Sequence, residues 1–568
     1  MIINQIWNFL SFKERKKFSV LIFLSIIVLT LEIVSISTIF PFIYSLTDEH
    51  FLIKYEYLNN LYKPLNLDNN YFSIIILLFL FVIITIKNTF LSFFFWMENK
   101  FLYQTQEKIS KNLYSNLINK DYPFHLRNNS GDLITRIRVD SVTIREAITG
   151  LFNLIQSSIF IFGILLFLII LEPIGFTITS LIFLILGSIF YKITSKKISE
   201  MGEIRQKYEV ERTKKLQESF SGIKEIKTFL LDNSFIRKYD NIAQSVAHSY
   251  AIRGFILKLP KVFLETLVLI VIIVLTMILI QKTDQNSKIF ALLGVFAVSA
   301  IKIIPHVYSV LNALNIFKFS KKPIEYYNIN LKNLKNKTNI EKKNDFKFKE
   351  EITFENVCFS YPDKHQEVFK NLNFKIKMGD RIHLKGVTGS GKSTLIDLLL
   401  GLQKTTSGQI KVDKKALSSL GGSWFNNISY VPQSIYLFDD NIKKNITLSD
   451  KVEIDEEHFS KCLEAAELKN FISKLPNKEN TQIGEVGSKI SGGQKQRIGI
   501  ARALYKKSEI IILDEATNAV DDITEKKIYI NLNSFKNKTF IVINHREIPE
   551  ELNFNKYLIE EKKLKLNA

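Results

Sequence analysis

The sequence predicts two domains of different class: a polytopic α-helical membrane domain of six transmembrane helices with long cytoplasmic helical loops, followed by an α/β domain. Three observations carry that expectation. Residues 18–317 hold six long apolar runs, at 18–46, 71–96, 151–171, 176–191, 262–280 and 289–304, most of them near or above the ~20 apolar residues that cross a bilayer as a helix. Beyond residue 349 such runs stop, and short apolar strings of strand length, at 381–384, 510–513 and 539–543, alternate with helical ones. A glycine-rich turn, GVTGSGKST at 386–394, sits between the first of those strings and an apolar helical run at 395–400. With 568 residues the chain exceeds one ordinary domain. The expected boundaries are an N-terminal cytoplasmic interfacial segment at 1–17, the membrane domain at 18–317, a basic linker at 318–348 and the α/β domain at 349–568.

The first apolar run is too long for the h-region of a cleaved signal peptide, about 7–15 residues, and no small-residue cleavage site follows it, so it reads as a retained helix. Ahead of it, an apolar stretch at 6–10 is followed by Lys13, Arg15, Lys16 and Lys17, the pattern of a segment lying at the cytoplasmic interface. Lys108, Lys111, Lys120, Arg127, Arg136 and Arg138 fill the loop between runs two and three. Lys196, Lys197, Arg205, Lys207, Arg212, Lys214 and Lys215 open the loop between runs four and five. The loop between runs one and two instead mixes Asp48, Glu49 and Glu56 with Lys54 and Lys63. Positive-inside counting therefore places both termini, the two long loops and the α/β domain in the cytoplasm. The formal charge of +20 also suits a nucleic-acid binder, but much of it lies in these loops and in the Lys/Asn-rich stretch 318–349. Attraction to anionic headgroups accounts for it there, and no nucleic acid is expected as partner. Cys358 and Cys462 both fall in the cytosolic half, where no disulfide is expected.

The glycine-rich turn has the spacing of a phosphate loop, with Gly386, then Val387, Thr388, Gly389 and Ser390, then Gly391, Lys392, Ser393 and Thr394. Backbone N–H groups of such a turn at a helix N-terminus face an anion, and the helix dipole favours negative charge there. Lys392 reaches the outer phosphates of a nucleotide in this pattern, and Ser393 holds Mg²⁺. The run 510–513 has the continuous apolarity of a strand buried in a parallel sheet and ends in Asp514-Glu515, where ligands of open α/β sheets bind. Asp514 is expected in the Mg²⁺ shell, and Glu515 is expected to polarise the attacking water. His545, after the strand-like run 539–543, is placed to contact the γ-phosphate and orient that water.

These strings, in this order, resemble the ATP-binding-cassette (ABC) proteins along the whole α/β domain. Tyr361 in FSYP resembles the aromatic that stacks on adenine, and Gln433 in VPQ the glutamine that senses Mg²⁺ and γ-phosphate. IGEVG at 483–487 resembles the short exporter loop that contacts the intracellular loops. Ser491, Gly492, Gly493 and Gln494 resemble the family signature, and 518–521, with Asp521, the loop that crosses a dimer seam. Ile490, Asn518 and Asn544 depart from the usual leucine, serine and threonine or alanine, and none removes a group from the phosphate chemistry. The segments 124–146 and 216–230 resemble the intracellular loops of exporters, whose short transverse helices pass force between domains. The resemblance implies an exporter-type half-transporter with ATP and Mg²⁺ as cofactors. Each ATP is implied to lie between the phosphate loop of one chain and Ser491–Gln494 of a second, so a dimer is required. The intact motifs favour a homodimer.

An ionisable side chain deep in a membrane span costs about 2.5–3.5 kcal/mol on insertion scales. Lys87 lies within run two, and Lys302 and His306 share a face of run six at i, i+4 spacing. Arg253, Lys258 and Lys261 stand near the start of run five, and Glu32 is the acidic residue of run one. Lys87, Arg253, Lys258, Lys302 and His306 read as a cationic cavity lining and suggest an anionic cargo. Snorkelling of the three residues near Pro260 to the interface, and pairing of Lys87 or Lys302 with Glu32, are the alternatives. More narrowly, Glu32, Pro41-Phe42, the segment 55–65, LPKVFLE at 259–265 and Lys302 with Pro305 resemble the flippases of the bacterial inner membrane that turn lipid-linked oligosaccharides for protein N-glycosylation. That resemblance implies ATP-driven flipping of a polyprenyl-pyrophosphate-linked oligosaccharide or related glycolipid. Lysines where such proteins carry arginines leave the phosphate geometry open. An exporter of hydrophobic drugs, lipids or peptides is the alternative, and a soluble ABC ATPase acting on nucleic acid or ribosomes is the alternative of another class, opposed by the membrane-length runs.

Overall fold

The computed structural model describes residues 2–47, 69–282, 286–337, 346–361, 367–449, 454–484, 487, 489–560 and 562–566. The segment 55–65 and residues 485–486 of the exporter-like loop lie outside them. The chain divides into two compact units, one of residues 1–120 and 124–338, the other of 121–123 and 339–568.

The first unit is helical. It comprises α1 (Ile2–Phe9), α2 (Phe12–Ser37), α3 (Ile39–Thr47), α4 (Asn69–Ile118), α5 (Tyr122–Arg127), α6 (Ser130–Thr135), α7 (Ser141–Leu171), α8 (Pro173–Ser221), α9 (Ile223–Thr228), α10 (Asp232–Lys282), α11 (Asn286–Phe319) and α12 (Lys321–Lys337). Ser11 and Glu14 form a reciprocal capping box that starts α2, with Glu14 Oε2 accepting from the Ser11 N–H at 2.6 Å. All six apolar runs fall on helices, and five helical stretches among the described residues, within Phe12–Thr47, Ser73–Ile118, Ser130–Leu171, Asp232–Gln281 and Ser287–Phe319, are long and apolar enough to cross a membrane. The fourth expected run lies on the continuous helix α8. Two of these helices run well past the apolar runs: α4 has 50 residues and α10 has 51, because the polar extensions on one side of each apolar stretch keep helical periodicity. Leu77, Leu78, Phe79, Phe81 and Val82 of α4 are exposed in the isolated chain, as expected of a face that meets lipid.

Two helices bear on the expected boundaries. The interfacial segment 1–17 is split, since its last six residues already belong to α2. The basic linker 318–348 is helical over Lys321–Lys337 and part of the first unit: Ile324 and Tyr327, three residues apart, bury on one face, with the Tyr327 ring edge-on to Phe9 at 4.8 Å. Between α6 and α7 a π-helical turn at Arg136–Asp140 carries the buried Asp140, which faces Arg136 at 3.6 Å and the buried Arg205 at 3.8 Å.

The second unit holds two sheets. A four-stranded antiparallel sheet has the order β2-β1-β4-β5, from β1 (Glu351–Ser360), β2 (Glu367–Lys377), β4 (Ser407–Val412) and β5 (Lys415–Ala416). A six-stranded sheet has the order β10-β9-β3-β8-β7-β6, from β3 (Arg381–Lys385), β6 (Ile428–Val431), β7 (Ile510–Asp514), β8 (Thr539–Ile543), β9 (Asn555–Glu560) and β10 (Lys563–Leu566). Its β6, β7, β8, β3 and β9 are parallel. Every residue of β7 and β8 is buried, which explains their unbroken apolarity. Both sheets contribute to one apolar core, with Phe354, Phe369, Leu384, Leu399 and Trp424 among its members. Parallel strands put their C-terminal ends on one edge, and the loops leaving β3, β6, β7 and β8 carry the residues singled out above. The two cysteines are free.

Candidate functional site

β3 delivers the chain into the turn 386–391, and α13 (Lys392–Leu399) begins immediately after it. Gly391 caps that helix at φ +106°, and a Cβ there would meet the Phe369 ring at 2.9 Å and Val368 at 3.0 Å, so the position demands glycine twice over. Lys392 Nζ donates to the carbonyls of Gly386, at 2.5 Å, and Val387, at 3.2 Å, and thereby lies along the turn. Ser390 Oγ is buried in the turn with no hydrogen-bond partner among the described residues, a polar atom suited to a phosphate oxygen. Thr394 Oγ1 shares a hydrogen bond of 3.1 Å with the Tyr361 hydroxyl, which ties the expected adenine-stacking ring to the first turn of α13.

At the end of β7, Asp514 accepts a hydrogen bond from the Tyr430 hydroxyl at 3.0 Å. Burial raises the Asp514 carboxyl above its ordinary value, and that hydrogen bond opposes the rise. Burial also pushes the Tyr430 hydroxyl up, reinforced by the Asp514 charge, so Tyr430 remains a donor. Glu515 adopts φ +49°, a left-handed conformation uncommon for a side chain of this size, and its N–H donates to the Ile543 carbonyl at 2.8 Å. Its carboxylate is gripped from three sides: Gln433 Nε2 donates to Oε2 at 2.7 Å, Asn518 Nδ2 donates to the same oxygen at 2.7 Å, and His545 Nε2 lies 3.4 Å from Oε1. The ends of β6, β7 and β8 thus bring Gln433, Glu515 and His545 into contact, with Asp514 beside Glu515 in the chain.

Ser491 N-caps α14 (Gly492–Tyr505): its hydroxyl accepts from the Gln494 N–H at 3.3 Å and its own N–H donates to Gln494 Oε1 at 2.9 Å. Ser491 and Gly492 are exposed, so a 14-residue helix points its N-terminus outward. Gly493 is required by close approach, since a Cβ would lie 2.7 Å from the Ala519 carbonyl. Asp521 caps α15 (Asp522–Asn531) by accepting from the Thr524 N–H at 2.9 Å.

Three residues were not read from the sequence as site members. Tyr430 supports Asp514. Asn518, read as the start of the seam loop and as a departure from serine, holds Glu515. Gln496 bridges α14 to the Glu515 loop, donating to the Glu515 carbonyl at 3.2 Å and accepting from the Ala519 N–H at 2.7 Å. Only the Asn518 departure offered a signal beforehand.

In the membrane unit the residues of the expected cationic lining have these surroundings. Glu32 on α2 sits between Lys87 on α4, 3.0 Å from Oε2, and Lys302 on α11, 2.9 Å from Oε1. Glu32 and Lys87 are buried, whereas the Lys302 side chain is 40% exposed. Arg253 on α10 pairs with Glu146 on α7 at 2.8 Å and lies over the Phe319 ring. His306 stacks on Phe160 at 4.4 Å and lies 3.4 Å from Ser157 Oγ, while Lys258 is exposed. Burying a lysine in an apolar span is tolerable only with a counter-ion, which explains the pairing.

Residues 369–518 match the family model described as ABC transporter, and residues 19–301 match that of the ABC transporter transmembrane region. A putative export ATP-binding/permease protein of Rickettsia bellii is 30% identical over 496 residues, covering 84% of this chain and 82% of that protein. An ATP-dependent lipid A-core flippase of Ralstonia nicotianae is 28% identical, covering 79% of this chain and 76% of that one. The solved structure of a bacterial Atm1-family ABC exporter with ATP bound superposes with a TM-score of 0.76 at 20% identity, covering 95% of this chain and 93% of that one. The chain therefore belongs to the ABC transporter family, as an exporter-type half-transporter in which one transmembrane domain is joined to one ATP-hydrolysing domain.

Proposed function

We propose that this half-transporter acts as a homodimer in the bacterial inner membrane, with both termini and the ATPase domain cytoplasmic, and uses ATP to flip an anionic lipid-linked cargo. A polyprenyl-pyrophosphate-linked oligosaccharide or related glycolipid fits best. The observation that carries this reading is the Glu32–Lys87–Lys302 cluster, in which two ammonium groups meet one carboxylate and the more exposed group is Lys302. The cluster keeps one net positive charge at membrane depth, and an anionic headgroup is the partner that lowers its cost. Relatives named lipid A-core flippases, such as that of Wigglesworthia glossinidia, 29% identical over 473 residues, are named for a lipid cargo.

Support for the dimer comes from both units. Phe220, Phe229 and Leu230, around α9, are 73%, 72% and 84% exposed on a segment with no lipid-length apolar run, and a second copy would cover them. The exposed N-terminus of α14 is suited to an anion, and the ATP held by a second chain would supply one. ATP binding favours the closed dimer because both chains contact the nucleotide only there. Lys392 and the 386–391 backbone hold the phosphates of one chain's ATP, Ser491–Gln494 of the second chain complete the anion site, and Tyr361 stacks on adenine. Glu515 polarises the attacking water, and His545 holds the γ-phosphate. Ser393, Gln433 and Asp514 fit a Mg²⁺ ion, since Asp514 spends one oxygen on Tyr430 and keeps a second. When bound, the ion neutralises charge on the β- and γ-phosphates.

A second reading, an exporter of hydrophobic drugs, uncharged lipids or peptides, draws on the pairing of Lys87 with Glu32 and of Arg253 with Glu146, which removes two of the expected lining cations. Purified chain in nanodiscs separates the two. We expect a dimer by native mass and ATPase stimulation by polyprenyl pyrophosphate but not by the uncharged polyprenol. A monomer with full ATPase activity would refute the dimer, and equal stimulation by both lipids would favour the second reading.

A further inference from the structure

Beneath the hydrolytic site runs a buried line of side chains that no motif announces. His383 of β3 lies 2.7 Å from Asn544 Oδ1, and Asn544 Nδ2 lies 3.0 Å from the Tyr529 hydroxyl of α15. That hydroxyl is 3.2 Å from Thr517 Oγ1, which donates to Glu525 Oε1 at 2.7 Å. Arg546 closes the line from the far side, donating to Glu525 Oε2 at 2.6 Å and facing Asp522 at 2.9 Å. His383, Asn544, Tyr529, Thr517 and Glu525 are all buried.

The direction of every hydrogen bond follows from the last acceptor. A carboxylate only accepts, so the single Thr517 hydrogen goes to Glu525. Tyr529 must then donate to Thr517, and so must accept from the Asn544 amide. The Asn544 carbonyl consequently faces His383, which must donate from Nε2. His383 Nδ1, buried and without a hydrogen-bond partner among the described residues, is left as the bare nitrogen of a neutral ring. Burial and nearby Lys385 lower the His383 pKa, and the Asn544 hydrogen bonds and Glu547 oppose them more weakly, in keeping with that neutral state.

Two members of this line adjoin the two loops proposed above to act on ATP. Thr517 stands two residues after Glu515, and Asn544 immediately precedes His545. We infer that His383, Asn544, Tyr529 and Thr517 are positioning residues, a buried hydrogen-bonded brace that fixes the Glu515 loop against the His545 loop and so sets the separation of the general base from the γ-phosphate contact. None of these four side chains is among the groups assigned above to the nucleotide. Loss of the brace therefore misplaces the reacting groups while leaving ATP affinity alone.

Steady-state ATPase assays of the full chain test this with two variants that each cut one link without changing volume, Tyr529→Phe and Thr517→Val. We expect kcat to fall about ten- to a hundred-fold, the effect of a displacement on the order of 1 Å, with the KM for ATP and the thermal midpoint within about twofold and a few degrees of wild type. His383→Gln, which keeps an N–H donor toward Asn544, is expected to retain kcat, whereas His383→Leu is expected to lose it. Wild-type kcat in both Tyr529→Phe and Thr517→Val would overturn the inference. So would a loss of kcat matched by loss of ATP binding or folded protein in both, or failure of His383→Gln to exceed His383→Leu.

Discussion

The two units solve the same problem, holding charge away from water, in opposite ways. In the ATP-hydrolysing unit the charged groups stand at the ends of strands and are aimed outward: Glu515 is held by Gln433, Asn518 and His545 within one rim of loops. In the membrane unit the charges are aimed at one another: Glu32, Lys87 and Lys302 come from three helices and largely cancel. Groups aimed outward meet a ligand of fixed chemistry, so their function follows from geometry. Groups that pair with one another first stabilise the fold, and in the proposed function only the net charge left over, with Lys302 the more exposed ammonium, would meet a cargo.

Breaking each side of that contrast has a different signature. The largest effect belongs to Glu515→Gln, which removes the base and keeps a side chain of the same shape. Turnover is expected to fall roughly 10²–10⁴-fold with ATP binding retained, and steady hydrolysis at the wild-type rate in that variant would refute the assignment. Glu32→Leu strips the counter-ion from a buried lysine and is expected to destabilise the membrane unit by about 3–5 kcal/mol. A thermal unfolding curve in detergent checks this, and an unchanged midpoint would mean that the cluster does not hold the helices.

Smaller changes sharpen the contrast. Gly391→Ala forces a side chain into a left-handed conformation costing about 1–2 kcal/mol and against Phe369. ATP affinity is expected to drop by about tenfold or more, measurable with a fluorescent nucleotide. Asn518→Ala removes one of three grips on Glu515, a charge-assisted hydrogen bond of about 1.5–3 kcal/mol when protected from water and less at this exposed position. A severalfold fall in kcat is expected, and no fall would show that Gln433 and His545 suffice.

The same contrast explains what the sequence revealed. The phosphate loop, Asp514-Glu515, His545 and the signature could be singled out from the sequence because each stands in a short local pattern at the end of one element. The helices were legible from apolar runs, although their ends were not, because α4 and α10 continue as polar helices where hydropathy falls silent. The helix α12 was hidden by its lysines and asparagines, and its burial rests on Ile324 and Tyr327. Pairings between distant positions, such as Tyr430 with Asp514, His383 with Asn544 and Glu32 with two lysines, depend on which elements the fold brings side by side. No local pattern encodes them.

Sealed vesicles carrying the purified chain and a polyprenyl-pyrophosphate-linked sugar accessible to an added enzyme on one face test the account most directly. Wild type is predicted to change the sidedness of the lipid only with ATP, Glu515→Gln not at all, and Lys302→Ala far less than wild type while still hydrolysing ATP. No ATP-dependent change in sidedness with wild type, or an equal change with Lys302→Ala, would contradict an anionic lipid-linked cargo and leave the ATPase standing.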